Sequence, residues 1–78
     1  MRNFRLTAVL WQEGNLFVSK CPELGVASCG ESVEGATENL REAVELYLEN
    51  AKRLGLLERM PSLNANERFT TQFEVALR

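Results

Sequence analysis

Apolar and polar positions alternate along residues 3–12, whose sequence is NFRLTAVLWQ. A period of two is the pattern of a β-strand, because successive side chains point to opposite faces of a sheet. We expect the side that carries Phe4 and Leu10 to face the core. Gly14-Asn15 then predicts a tight hairpin, since glycine adopts the positive φ of a type II′ turn without steric cost.

Two further strands are predicted after the hairpin. The sequence LFVSKC, residues 16–21, returns antiparallel to the first strand. Pro22 and Gly25 then interrupt the pattern, because proline cannot donate to a β-ladder and glycine permits a sharp reversal. The third strand is the short segment VASCG, residues 26–30. The pattern thus predicts a three-stranded antiparallel meander.

A helical period replaces the alternation between Ser32 and Gly55. Ser32 suits the N-cap because its hydroxyl accepts a hydrogen bond from a free N–H of the first turn. Gly55 suits the C′ position, where helices commonly end. The apolar residues between them recur every three or four positions, which predicts an amphipathic helix. They are Val33, Ala36, Leu40, Ala43, Val44, Tyr47, Leu48, Ala51 and Leu54.

The end of the chain alternates again. Pro61 and a polar stretch separate the helix from residues 68–77, in which Phe69 and Phe73 lie on one side. A strand that follows a crossover helix usually joins the same sheet in parallel. We therefore expect a fourth strand parallel to the first, with the helix covering one sheet face. The predicted fold is α+β, in a single domain over residues 1–78.

The second face of this sheet has no covering element. A chain of 78 residues buries only roughly 60 to 65% of its unfolded surface, so we expect a partner or a second copy to cover an apolar face. The helix carboxylates are either a solvated surface or a surface that meets a basic partner. The candidate partner-binding residues are Val9, Trp11, Leu16, Val18, Glu38, Glu42 and Glu45.

Charge and composition exclude several classes of protein. Nine basic and eleven acidic side chains give a net charge of −2, and the basic residues form no stripe of the kind that replaces counterions on nucleic acid. No stretch approaches the ~20 apolar residues of a membrane span, and the N-terminal stretch is too interrupted for a signal peptide. We expect a cytoplasmic protein that does not bind nucleic acid or membrane directly.

Candidate catalytic groups are few. The chain has no histidine, which removes Cys-His and Ser-His-Asp arrangements and the commonest metal ligand. Cys21 and Cys29 are expected to be free thiols, because a chain without a secretory signal rarely forms a disulfide. Cys29 is either a reactive thiolate near a helix N-terminus or a small buried side chain, and the usual burial of cysteine favours the second. We therefore expect no enzymatic activity, no cofactor and no metal.

The predicted order of strands and helix is that of the first half of a ribonuclease H fold. Nucleases of that kind hold two divalent ions with carboxylates on the first strand, the helix and the fourth strand. Here the first strand has no acidic residue, and Glu74 alone serves the last one. Such a metal cluster cannot be assembled.

Residues 21–49, CPELGVASCGESVEGATENLREAVELYLE, resemble the central stretch of the HicB-type antitoxins. The matching features are the Pro-Glu turn at residues 22–23, the Gly-Glu-Ser corner at residues 30–32 and the Asn-x-x-Glu-Ala core at residues 39–43. The opening hairpin and the last strand fit loosely. Gly35 departs from the pattern, which usually has a glutamate before the alanine.

This resemblance implies a partial, degraded ribonuclease H-like fold without an active site. It also implies a cytoplasmic location and a partner, a small mRNA-cleaving toxin of the HicA type whose catalytic histidine the antitoxin covers. A homo-oligomer, either dimer or tetramer, is expected separately, from the small size of the chain and its uncovered sheet face. Family members often carry a DNA-binding segment after the last strand, and because this chain stops at Arg78 we expect no autonomous operator binding. The alternative is a solitary oligomeric HicB-like domain with a small-ligand-binding or scaffold role.

Overall fold

The computed structural model describes residues 3–60, 63 and 69–78. Its architecture is α+β, with a three-stranded antiparallel sheet in the order β1-β2-β3 packed against a helix. The strands are β1 (Val9–Glu13), β2 (Leu16–Cys21) and β3 (Val26–Gly30), and the helix α1 is Val33–Arg53. A 3₁₀ turn follows at Leu57–Arg59. The predicted meander and helix are confirmed.

The hairpin between β1 and β2 turns where the sequence predicts. Glu13 pairs with Leu16, so Gly14 and Asn15 are the two central residues of the turn. Gly14 has a φ of 59°, and no described non-glycine residue has a positive φ. Positive φ at the first central residue alone is the type II′ geometry.

Both predicted ends of α1 are confirmed. At the start, the N–H of Gly35 donates to Oγ of Ser32 at 2.9 Å. At the end, Gly55 has a φ of 72° and donates its N–H to the carbonyl of Lys52 at 3.1 Å. The next residue donates to the carbonyl of Ala51 at 2.8 Å, which completes a Schellman motif.

The helix packs on the sheet face that carries Ser19 and Cys21. Ser19 is fully buried, and its hydroxyl donates to the carbonyl of Ala36 at 2.9 Å. Gly30 lies so close to α1 that a Cβ there would be 2.6 Å from the backbone nitrogen of Ala36. The two layers therefore touch through small residues, and the core is small. Its buried apolar residues, among those described, are Cys21, Ala36, Leu40, Ala51 and Leu63.

Part of the predicted apolar stripe of α1 lies in solvent. Val33, Tyr47 and Leu54, which the helical period places in this stripe, are 46%, 39% and 67% exposed. For Leu54, at the C-terminal end of the helix, the reason is length. A helix of 21 residues is about 31 Å long, whereas strands of five or six residues span about 20 Å. The sheet cannot cover the whole helix.

Two segments that alternate in sequence belong to no strand. Residues 3–8 precede β1, so the first strand begins later than predicted. Residues 69–78 form neither helix nor strand, so the structure does not show the fourth strand parallel to the first or a ribonuclease H-like topology. The predicted break at Pro61 lies outside the described residues. The large apolar side chains of the last segment are 76% to 96% exposed: Phe69, Phe73, Val75 and Leu77.

Candidate functional site

The sheet face turned away from α1 carries a cluster of apolar side chains. Trp11 lies opposite Val18, and Val18 lies opposite Cys29, so the three form one row across the sheet. Side chains of adjacent residues point to opposite faces, and Ser19 bonds to the helix, so this row points the other way. We call this surface the open sheet face. It consists of Val9, Trp11, Glu13, Leu16, Val18, Lys20, Ala27 and Cys29.

The structure brings the four predicted apolar residues together on the open sheet face. Val9, Trp11 and Leu16 are 37%, 40% and 44% exposed, and Val18 lies half-buried in the central strand. The hairpin register that places them is the one predicted from Gly14-Asn15. An exposed cluster of this kind is a candidate contact surface.

Trp11 is held in one orientation on this face. Its Nε1–H donates to Oε1 of Glu13 at 2.9 Å, two residues further along the same strand. The bond satisfies the polar atom of the indole, and a fixed ring loses less entropy when a partner binds. Glu13 and Lys20 give the open sheet face a polar rim around an apolar centre, which is the usual anatomy of a protein interface.

Cys29 also lies on the open sheet face, where it is exposed. The expectation that it is a buried side chain is wrong, because the register of β3 turns it away from α1. Its backbone carbonyl accepts a hydrogen bond from Nδ2 of Asn39 at 2.8 Å. Cys21 is buried on the opposite face of the sheet, and both thiols are free.

The three predicted carboxylates of the helix lie on another surface. Glu38, Glu42 and Glu45 are spaced by four and three residues, so they share one side of α1, and all three are exposed. Oε2 of Glu38 lies 3.4 Å from Nε of Arg41, an exposed ion pair that contributes little. Because α1 covers the other sheet face, no single flat contact reaches these carboxylates and Trp11. No helix in the described ranges has the length and hydrophobicity needed to cross a bilayer.

A polar contact between Thr7 and Glu23 gave no signal in the sequence. The N–H of Thr7 donates to both carboxylate oxygens of Glu23 at 3.1 Å, and the Thr7 hydroxyl donates to Oε2 at 2.7 Å. Sγ of Cys21 lies 3.4 Å from Oε1 of the same carboxylate. The two main partners are 16 positions apart, and no spacing rule links Thr7 to Glu23 of the Pro-Glu turn, so only the fold brings them together.

This contact shifts two pKa values. Burial alone raises the pKa of Glu23, but the hydrogen bonds from Thr7 and from the backbone outweigh it and hold the pKa below the usual 4.5. Burial raises the pKa of the Cys21 thiol, and the neighbouring carboxylate of Glu23 raises it further. The fold therefore favours a charged Glu23 beside a neutral Cys21.

We expect Glu23→Gln to lower the free energy of unfolding at pH 7 by about 1 kcal/mol, because an amide cannot accept all the hydrogen bonds of the carboxylate. The folded-state pKa of Glu23 lies below the unfolded value. Its stabilising contribution is therefore present above pH 4.5 and is lost as the pH falls through the folded-state pKa. Urea unfolding of both proteins at a series of pH values should show the two stabilities converging below pH 4.5.

The control for this prediction is Glu42→Gln on the exposed side of α1. We expect its stability to follow that of the unchanged protein at every pH. A constant offset of Glu23→Gln across the whole pH range would contradict the assignment of the effect to the charged carboxylate.

A cleft lies between the side of α1 and the segment that precedes β1. We call it the α1 cleft, and its volume is about 510 Å³. Its apolar lining comes from both elements and from β2: Phe4, Leu6, Cys21, Leu40, Val44 and Leu48. Within the described part of the chain, no group of three acidic or cysteine side chains is arranged to hold a metal ion.

Comparison of the chain with protein-family models, with curated proteins and with solved structures gives no match. The resemblance of residues 21–49 to the HicB-type antitoxins therefore stays a prediction from sequence.

Proposed function

We propose that this protein is an antitoxin-like, protein-binding module that captures a small mRNA-cleaving toxin of the HicA type on the open sheet face. The observation that carries the proposal is the row of Trp11 and Val18, which with Leu16 forms an apolar surface that no described element covers. Tryptophan is the residue type most often found to dominate binding energy at protein interfaces. The resemblance of residues 21–49 supplies the identity of the partner.

The small core gives a second reason for a partner. Few large side chains are fully buried among the described residues, so the isolated chain has little apolar burial to offset its conformational entropy. A partner that binds only the folded form adds stability, about 2.7 kcal/mol when its free concentration is 100 times the Kd. An antitoxin that gains stability when it binds its toxin is consistent with this small core.

Distance argues against the acidic side of α1 as the main contact. An RNA-cleaving toxin needs a basic surface for phosphate, which Glu38, Glu42 and Glu45 would attract. However, these carboxylates belong to the helix layer, and a toxin on the open sheet face contacts the other side of the sheet. Salt screens exposed charges that are not in direct contact, with a Debye length of ~8 Å at physiological ionic strength. These carboxylates then contribute little to binding and act as a solvated surface.

In this function the protein is non-catalytic and needs no cofactor. It acts in the cytoplasm, where messenger RNA is cleaved, and it forms a homo-oligomer. Its proposed fold is partly ribonuclease H-like, with residues 69–78 forming a fourth strand parallel to β1. The support for that strand is the alternation of the segment and the exposure of Phe69 and Phe73, which have no core of their own.

Co-expression with a HicA-type toxin from a neighbouring gene tests the proposal. We expect the toxin to co-purify with the chain and to lose mRNA cleavage in a purified assay as the chain is added. Unchanged cleavage with no complex would contradict the antitoxin role, and a stable oligomer under those conditions would favour the scaffold alternative. Turnover of RNA or of a metabolite by the purified chain would contradict the non-catalytic role.

A further inference from the structure

The chain before β1 and the end of the chain lie beside each other. Residues 70–72 and residues 7–9 line one cavity of about 390 Å³. Both belong to segments whose alternation predicts a strand, yet residues 3–8 and 69–78 form none. A strand requires a neighbour for its backbone groups, so each segment is a candidate neighbour for the other.

The backbone of β1 offers an edge at this place. The closing pair Glu13–Leu16 of a two-residue hairpin exchanges hydrogen bonds, so the odd-numbered residues of β1 direct their backbone groups towards β2. Thr7 keeps this direction, since its N–H reaches Glu23 in the turn between β2 and β3. The even-numbered residues Leu10 and Gln12 therefore direct theirs away from β2, where no described strand pairs with them.

The opposite edge of the sheet is less available. The amide of Asn39 in α1 already donates to the carbonyl of Cys29 in β3. The first turn of α1 also lies directly against Gly30. A strand that adds to this sheet therefore meets less obstruction at β1 than at β3.

The α1 cleft lies on the helix side of the β1 edge and is apolar enough to receive large side chains. Phe4, Val44 and Leu48 line it. Residues 69–78 carry their large apolar side chains at alternate positions, so a strand formed by them presents Phe69, Phe73 and Val75 to one face. That face matches the apolar part of the cleft, whose lining also includes Arg41 and Glu45.

The chain does not fill this site by itself. Its own last segment lies next to residues 7–9 and still leaves Phe73 84% and Leu77 96% exposed. The radius of gyration is 14.5 Å, against roughly 11.5 Å for a compact domain of this length. An arm with exposed apolar side chains and a sheet edge that no described strand pairs with are the two requirements for exchange between copies.

We propose that residues 69–78 of one copy add as a strand to the β1 edge of a second copy, in a reciprocal exchange that gives a closed two-fold dimer. Phe69 and Phe73 then enter the α1 cleft of the second copy, and both β1 edges are covered. This inference rests on the fourth strand of the proposed fold and leaves the open sheet face free for a toxin.

Neighbouring substitutions on the two sides of the arm test the inference in the purified full chain without toxin. Sedimentation equilibrium should show a dimer for the unchanged protein. Phe73→Glu should raise the dimer dissociation constant roughly 30-fold or more, whereas Gln72→Glu, which adds the same charge on the other side of the strand, should leave it nearly unchanged. A monomeric unchanged protein, or equal effects of the two substitutions, would overturn the exchange.

A disulfide trap distinguishes a second copy from the same copy and does not depend on the fold of Phe73→Glu. Cysteines replace Ala8 and Thr71 in a Cys21→Ala, Cys29→Ser background, because Cys21 lines the same cleft as Ala8 and could pair with the new thiol. The oxidised protein is weighed by mass spectrometry. A covalent dimer supports the exchange. A disulfide within one chain, or no disulfide at either place, overturns it.

Dimer formation and toxin binding can be tested independently of each other. Trp11→Glu should leave the dimer intact, and its dissociation would show that the copies meet through the open sheet face instead. A protein that exchanges no arm but still inhibits a HicA-type toxin would refute only the inference, whereas a dimer without toxin binding would refute only the proposed function.

Discussion

Gly30→Val should cost about 3 kcal/mol of the free energy of unfolding, out of roughly 4 to 12 kcal/mol for a domain of this size. A Cβ at this position would lie 2.6 Å from the backbone nitrogen of Ala36 and 2.8 Å from the carbonyl carbon of Gly35. Both atoms belong to the first turn of α1, where the Ser32 cap and the hydroxyl of Ser19 hold the backbone. No side-chain rotation relieves the clash, so helix and sheet must separate.

Urea unfolding followed by circular dichroism measures this effect. The control is Ala27→Val, which adds the same branched side chain to β3 on the open sheet face. We expect that change to stay within about 0.5 kcal/mol, since Ala27 is exposed and valine favours strands. Equal losses for the two variants would mean that the space between Gly30 and α1 is not the reason for the cost.

Trp11→Glu should weaken toxin binding roughly 30-fold or more, because it replaces the aromatic centre of the open sheet face with a charge that a partner would have to desolvate. The fold should survive. Trp11 is 40% exposed and lies on the face opposite α1, so it contributes little to the contact between helix and sheet. Calorimetric titration with a HicA-type toxin gives the affinity, and inhibition of mRNA cleavage gives the functional effect.

The matched control for binding is Glu42→Lys on the exposed side of α1. We expect the affinity to change less than about threefold at physiological salt, because this exposed charge belongs to the helix layer, across the sheet from the bound toxin, and is screened by salt. A larger loss for Glu42→Lys than for Trp11→Glu would place the toxin on the acidic side of the helix and contradict the assignment to the sheet.

Features that depend on neighbouring residues could be predicted from the sequence. Gly14 meets the requirement for positive φ in a type II′ turn whatever the rest of the chain does, and Ser32 and Gly55 cap the helix through bonds within one turn. The pairing of Trp11 with Val18 then follows from the hairpin register. The apolar half of the candidate site was therefore readable in advance.

Features that depend on distant residues were not readable. Nothing in the sequence tells that Thr7 contacts Glu23, or that the register of β3 turns Cys29 into solvent. The helical period places Leu54 on the apolar side of α1. Leu54 is nevertheless exposed, because the sheet is too short to reach that end of the helix. Likewise, the alternation in residues 69–78 predicts a strand without naming its neighbour, so the fourth strand stays a proposal.

The indole on the open sheet face gives the molecule an optical reporter. Trp11 is the only tryptophan of the chain, so its emission comes from this surface alone. An indole that moves from water into an apolar contact emits at shorter wavelength. A toxin seated on the sheet should therefore shift the fluorescence to the blue.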